Sequence, residues 1–139
     1  MKRNEFLKTL GAGAALAVTF SCLGGCSKDD VSSNTDVTSG LPFTVDLSAS
    51  SSSALMNNGG YIIKNNTVVA KDLNGNYVAA TNLCSHEQKR KVIFQNGEYY
   101  CTEHGARFSL TGNGLNSDGS GGLTIFNTSL EGNILTISA

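Results

Sequence analysis

The 139-residue sequence has few residues that bind metals and few that stiffen loops. It contains two histidines, four cysteines, one proline and no tryptophan. Any metal site with nitrogen and sulfur ligands is therefore confined to a few positions. Charged residues make up 15% of the chain and the net charge is −1, so nothing favours binding to nucleic acid. From residue 41 onward no stretch keeps a helical hydrophobic period, which argues against a helical fold.

Both histidines and two of the four cysteines lie in one stretch, residues 84–105. Cys84 and His86 form a C-x-H pair, and Cys101 and His104 form a C-x-x-H pair followed by glycine. Taken singly, a buried cysteine is usually a small hydrophobe and a lone histidine is usually a hydrogen-bonded polar group. Those ordinary roles would scatter the four residues instead of ordering them in two pairs. We therefore predict a four-ligand metal site.

The residues between the two pairs predict a β-hairpin. Residues 91–95 and 98–101 are β-prone, and the Asn96-Gly97 dipeptide between them suits a type I′ turn because both central positions need positive φ. At the end of the hairpin away from the turn, residues near 89 are expected to lie beside residues near 101. Both ligand pairs would then lie at one tip.

These two motifs, with the H-G-x-x-F continuation that ends at Phe108, resemble the cluster-binding loops of Rieske iron–sulfur proteins. The resemblance implies a 2Fe–2S cluster in which Cys84 and Cys101 bind one iron as thiolates and His86 and His104 bind the other. Neutral imidazoles make such a cluster easier to reduce than an all-thiolate one, with potentials of about −150 to +300 mV. It also implies one-electron transfer between donor and acceptor proteins, such as a cytochrome or an oxidoreductase subunit.

Three features of respiratory and other Rieske proteins are missing. The chain has no additional cysteine in either loop for a disulfide across the cluster, and Ala106 stands where a serine would donate to a bridging sulfide. Fewer hydrogen bonds to sulfur imply a lower potential within the Rieske range. Because Pro42 is the only proline, residues 117–122 are the candidate for the family's proline-containing loop, with a looser backbone.

Two other function classes stay open. Two cysteines and two histidines also form a tetrahedral zinc site, although zinc fingers usually pair like ligands and the order here alternates. An enzyme is the second alternative. A Rieske oxygenase, however, needs two further histidines and a carboxylate to bind an additional iron outside the cluster, and no histidine is left. We expect an electron-transfer protein or an oxidoreductase subunit more than a stand-alone enzyme.

Residues 1–26 are predicted to be an export signal and not part of the fold. A basic start at residues 2–8 precedes an uncharged apolar run, residues 10–23, which is short for a membrane span. The run leads into Leu-Gly-Gly-Cys26, which resembles a bacterial lipobox and implies cleavage after residue 25 and lipidation of Cys26. An uncleaved anchor with an incidental cysteine is the alternative. We expect a membrane-anchored lipoprotein, attached to the bilayer through Cys26 on the periplasmic or cell-surface side.

The rest of the chain is predicted to be a tether and one domain. Residues 26–40 have few large apolar groups and should form a flexible tether. Residues 41–139 alternate short β-prone runs with glycine turns, which predicts an all-β domain. The resemblance implies an antiparallel β-sandwich with an inserted cluster-binding subdomain at about residues 81–113. The basic run at residues 89–91 is either a docking patch for an anionic partner or, more simply, a solvated hairpin edge.

Overall fold

The computed structural model describes residues 37–139, in which short strands are joined by tight turns. A 3-10 helix spans Ser50–Met56, and no helix in this part of the chain is long and apolar enough to cross a bilayer. The strands of the described residues are, in chain order, β1 (Phe43–Asp46), β2 (Tyr61–Lys64), β3 (Thr67–Lys71), β4 (Tyr77–Thr81), β5 (Val92–Gln95), β6 (Glu98–Cys101), β7 (Arg107–Phe108), β8 (Ile125–Glu131) and β9 (Ile134–Ser138).

These strands form two sheets, and all strand pairs are antiparallel. The larger sheet has the order β1-β9-β8-β4-β3-β2, and the smaller one has the order β5-β6-β7. The smaller sheet is inserted in the chain between β4 and β8. One predicted ligand pair lies in the loop that leads into β5, and the other lies where β6 ends. This confirms the predicted all-β antiparallel fold.

Two apolar clusters form the core, one on each face of the larger sheet. In β3, Val68 and Ala70 belong to one cluster and Val69 to the other, and all three are fully buried. The first cluster joins β3 and β4 to the smaller sheet, and the second fills the curl of the larger sheet beneath the 3-10 helix. A continuous apolar sequence such as that of β3 is typical of a strand that is buried on both faces.

The predicted turns are confirmed, and the predicted hairpin register is corrected. Asn96 and Gly97 have φ of 53° and 78°, as a type I′ turn requires. Asn65 and Asn66, between β2 and β3, also have positive φ. Gln95 pairs with Glu98 across the turn, so Val92 lies opposite Cys101, and not residues near 89 as we expected. A two-residue turn fixes this register, because every further pair is counted outward from it.

Several local features differ from the sequence expectations. The 3-10 helix Ser50–Met56 lies in a domain for which only short β-prone runs and glycine turns were expected. The tether was predicted to reach residue 40, but residues 37–40 form a turn, and Val37 packs against the second core cluster. The export signal and the lipidation site at Cys26 lie outside the described residues.

Candidate metal centre

The two ligand loops have the same backbone construction. In the first loop the Cys84 N–H donates to the Lys89 carbonyl at 2.8 Å, and the Gln88 N–H donates back to the Cys84 carbonyl at 2.9 Å. In the second loop the Cys101 N–H donates to the Ala106 carbonyl at 2.8 Å, and the Gly105 N–H donates back to the Cys101 carbonyl at 2.9 Å. Gln88 and Gly105 occupy matching positions, and both have positive φ. Each loop is therefore closed by two backbone hydrogen bonds that its own cysteine makes.

Both cysteines of the site are buried free thiols. Cys84 is 2% exposed and Cys101 is 1% exposed, and both belong to the core cluster beneath the smaller sheet. Burial raises the pKa of the Cys84 thiol, a hydrogen bond from the His86 backbone partly offsets this, and the neighbouring Cys101 thiol raises it again. Cys84 is therefore protonated at neutral pH in the metal-free protein, and metal binding must displace its proton.

The two histidines lie on the outer side of the same loops. Their ring centroids are 5.2 Å apart with an interplanar angle of 84°. The His86 side chain is 36% exposed and that of His104 is 42% exposed. The structure thus pairs the two thiols in the interior and the two imidazoles at the surface of one tip.

Charged side chains surround the imidazoles, and the sequence did not predict them. Glu87 Oε2 lies 3.6 Å from His104 Nδ1 and 3.1 Å from Lys89 Nζ. Lys89 also forms an ion pair with Glu103. The ligand atoms of His86, Glu87 and His104 all lie within 4.8 Å of one another, so the three side chains are close enough to bind one metal ion jointly.

The basic run at residues 89–91 is partly neutralised by these contacts. Lys89 is shared by two glutamates, and Arg90 Nη1 donates to Asn82 Oδ1 at 2.9 Å. The glutamates offset the charge of Lys89, which weakens the case for a docking patch and favours the simpler interpretation of the run as a charged hairpin edge.

A third loop, residues 115–122, contacts both ligand loops. Asn116 Nδ2 donates to the Gly105 carbonyl at 2.7 Å, and Asn116 Oδ1 accepts from the Arg107 N–H at 3.1 Å. Asp118 Oδ1 lies 3.8 Å from His86 Nε2. A Cβ atom on Gly119 would approach the Arg107 carbonyl oxygen to 2.3 Å, so the loop packs directly on the second ligand loop. The loop is more tightly held than its Ser- and Gly-rich sequence suggested.

The donor set fits a 2Fe–2S cluster of the Rieske type. Two thiols suit an iron on the buried side, and two imidazoles near water suit the more exposed iron. Ala106 is fully buried and supplies no hydroxyl, as the sequence predicted. Two buried hydroxyls, Ser85 Oγ and Tyr99 OH, have no hydrogen-bond partner within residues 37–139. Ser85 separates two of the predicted ligands, and Tyr99 lies in the same core cluster as both thiols.

Comparison with solved structures shows the same fold in electron-transfer and oxygenase proteins. The ferredoxin of carbazole 1,9a-dioxygenase from Nocardioides aromaticivorans IC177 has a TM-score of 0.53 at 19% identity, covering 70% of this chain and 96% of that one. The apo quaternary ammonium Rieske monooxygenase CntA has a TM-score of 0.52 at 13% identity, covering 74% of this chain and 34% of that one. The present chain therefore spans about a third of the oxygenase.

A third similar structure is the plasma membrane Rieske protein PetC3 from the cyanobacterium Synechocystis PCC 6803. It is 28% identical with a TM-score of 0.46, and the match covers 52% of this chain and 76% of that one. No curated protein matches the sequence.

The family comparison agrees with the donor set. The family model of the Rieske [2Fe-2S] domain matches residues 30–127, which include both ligand loops and the loop that contacts them. A 2Fe–2S cluster and Rieske-type electron transfer follow from that match, which favours the cluster over the zinc site that the sequence left open as the alternative. The chain belongs to the Rieske [2Fe-2S] domain family.

Proposed function

We propose that this protein transfers single electrons at the extracytoplasmic face of a membrane, through a cluster held by Cys84, Cys101, His86 and His104. It acts either as a free carrier or as the Rieske subunit of a membrane oxidoreductase. One observation carries the proposal: two buried thiols and two solvent-facing imidazoles lie at one tip of the smaller sheet.

The two kinds of ligand have different tasks. Cys84 and Cys101 would hold their iron at the buried side of the site, among apolar side chains that keep water away. When bound, the 2Fe–2S cluster takes up and releases one electron. His86 and His104 would hold the other iron where a partner can approach, because both rings are partly exposed. The exposed histidine edge is therefore the point of electron exchange with a donor or acceptor protein.

The supply of ligands favours a carrier or a subunit over a complete oxygenase. Both histidines of the sequence belong to the proposed cluster site. Within residues 37–139, the single group of three or more potential metal ligands is His86, Glu87 and His104, which lies at the same site. With both histidines assigned to the cluster, these residues offer no imidazole for the separate iron that an oxygenase uses.

The extracytoplasmic location is supported by the sequence ahead of the domain. A basic start, an apolar run and a Leu-Gly-Gly-Cys26 motif together suit a lipoprotein signal. Lipid on Cys26 would hold the domain at the bilayer through the following residues, where membrane-bound redox partners are within reach. One lipid-modified cysteine with two or more acyl chains is enough for stable anchoring.

A redox titration followed by visible absorption tests the proposed activity. The reconstituted protein should show one reversible transition with n = 1, at a midpoint between about −150 and +300 mV. A protein that binds iron but shows no reversible one-electron transition in this range would contradict the proposal.

A further inference from the structure

The third loop brings one carboxylate to the free side of a proposed ligand. Asp118 Oδ1 lies 3.8 Å from His86 Nε2, and the Asp118 side chain is 40% exposed. This separation is longer than a hydrogen bond but within the range of a direct charge interaction. Within residues 37–139, no lysine or arginine nitrogen lies within 4.0 Å of the Asp118 carboxylate. In the part of the chain that the structure describes, no cation at ion-pair distance offsets its charge.

The position of Asp118 is fixed by its neighbours in the loop. Asn116 Oδ1 accepts from the Gly119 N–H at 2.9 Å, and its amide nitrogen donates to the Gly105 carbonyl in the second ligand loop. Gly119 packs on the Arg107 carbonyl with no room for a side chain. Asp118 is therefore held between two anchored residues, at the side of the loop that faces His86.

The other carboxylates near the imidazoles are in a different situation. Glu87 lies 3.6 Å from His104 Nδ1, but Lys89 Nζ is closer to it, at 3.1 Å. Glu103 is also paired with Lys89. Lys89 therefore offsets one of the two carboxylate charges near the rings. Asp118 is the described carboxylate at this tip whose charge is not offset in this way.

We propose that Asp118 is a positioning residue whose charge acts on the Nε2 side of His86 and lowers the reduction potential of the centre. The proposal rests on the ligand assignment given under the proposed function. A carboxylate beside Nε2 favours the tautomer with the proton on that nitrogen, which leaves Nδ1 free to bind iron. Its negative charge also opposes the arrival of an electron.

Redox titrations of four variants test this role. Asp118→Asn removes the charge with little change of shape, and Asp118→Glu keeps the charge. Asp118→Ser removes the charge with a smaller side chain, in case Asn disturbs the loop. Glu131→Gln is the matched control, since it removes one exposed carboxylate at the β8–β9 turn, outside the smaller sheet.

We expect Asp118→Asn and Asp118→Ser to raise the midpoint, so that at a fixed applied potential the ratio of oxidised to reduced protein falls about two- to fivefold. Asp118→Glu should stay close to the unmodified protein, and Glu131→Gln should shift the midpoint less than either neutral Asp118 variant.

Cluster content, from iron analysis and the visible spectrum, distinguishes failure of the Asp118 role from failure of the proposed function. If the unmodified protein loads a cluster but the neutral Asp118 variants shift no more than Glu131→Gln, the role of Asp118 is refuted and the proposed function stands. If the unmodified protein loads no cluster, both are refuted.

Discussion

Val92 lies directly opposite Cys101 in the β5–β6 pair. Beyond this pair the Lys91 carbonyl accepts from the Thr102 N–H at 3.0 Å, so the strands stay together as they enter the ligand loops. The first loop therefore enters the hairpin at the point where the second loop leaves it. This pairing explains how two motifs that are distant in the sequence supply one site, with thiols inside and imidazoles outside.

The first prediction concerns the four ligands. Cys84→Ser and Cys101→Ser should each lose the cluster, because a hydroxyl does not replace a thiolate on iron. His86→Cys and His104→Cys should keep some cluster, with a midpoint shifted toward the value near −400 mV of all-thiolate plant-type ferredoxins. Iron and sulfide analysis with a redox titration measures both effects. Normal loading of both serine variants would show that the ligand assignment is wrong.

The second prediction concerns the unpartnered hydroxyl of Tyr99. The side chain is fully buried, its hydroxyl has no partner among the described residues, and burial raises its pKa. Tyr99→Phe should therefore raise the free energy of unfolding of the metal-free protein by about 1 to 3 kcal/mol. Urea unfolding measures the change, with the partly buried Tyr61→Phe as a control near zero. A clear loss of stability in Tyr99→Phe would mean that the hydroxyl has a partner in solution.

The third prediction concerns the carboxylate in the β3–β4 turn. Asp72 is 5% exposed, and its Oδ1 accepts from the backbone N–H groups of Asn74 and Asn76, each at 2.8 Å. Burial acts to raise the pKa of Asp72, but the hydrogen bonds outweigh it and the pKa lies below its ordinary value. The folded state thus binds this proton more weakly than the unfolded state, whose aspartate pKa is about 3.9.

The resulting stability is present above that unfolded value and is lost as the pH falls through the folded one. Asp72→Ala should cost about 1 to 3 kcal/mol at pH 7, and the difference from the unmodified protein should shrink as the pH falls below about 4. Urea unfolding across this pH range measures it, and the exposed Asp46→Ala should show a smaller difference. A difference for Asp72→Ala that does not depend on pH would contradict this account.

Much of the fold was predictable because the turns have strong local signals. Asn96 and Gly97 adopt positive φ, and the β-prone runs on either side of this pair become β5 and β6. The expected register, with residues near 89 beside residues near 101, was wrong because the two-residue turn pairs Gln95 with Glu98 and so places Val92 opposite Cys101. The 3-10 helix was missed because its serine run has no apolar period that distinguishes a helical turn from a loop.

The residues around the ligands could not be predicted in the same way. The ligand residues stand out because they are chemically rare and ordered in the sequence. Asn116 and Asp118 belong to a Ser- and Gly-rich segment with no periodic pattern, and their contacts reach Gly105, Arg107 and His86 across the tertiary structure. Such contacts depend on the packing of three loops, which local sequence does not encode.

The fourth prediction concerns membrane attachment. If Cys26 is the lipidated residue, Cys26→Ala should leave an uncleaved precursor that does not incorporate labelled fatty acid, because the thiol that carries the lipid is missing. Metabolic labelling and the mass of the processed protein measure this. Conversion of Cys22, the other cysteine of the same segment, to Ala is the matched control and should be processed normally. Normal processing of Cys26→Ala would remove the lipoprotein assignment.

The most direct test of the central claim is low-temperature EPR of the dithionite-reduced protein from residue 27 onward, combined with iron, sulfide and zinc analysis. The account predicts a rhombic signal with an average g below that of all-thiolate 2Fe–2S ferredoxins, and about two irons and two sulfides per chain. An EPR-silent protein that contains one zinc per chain would contradict it, because the two cysteines and two histidines would then form a structural zinc site with no capacity for electron transfer.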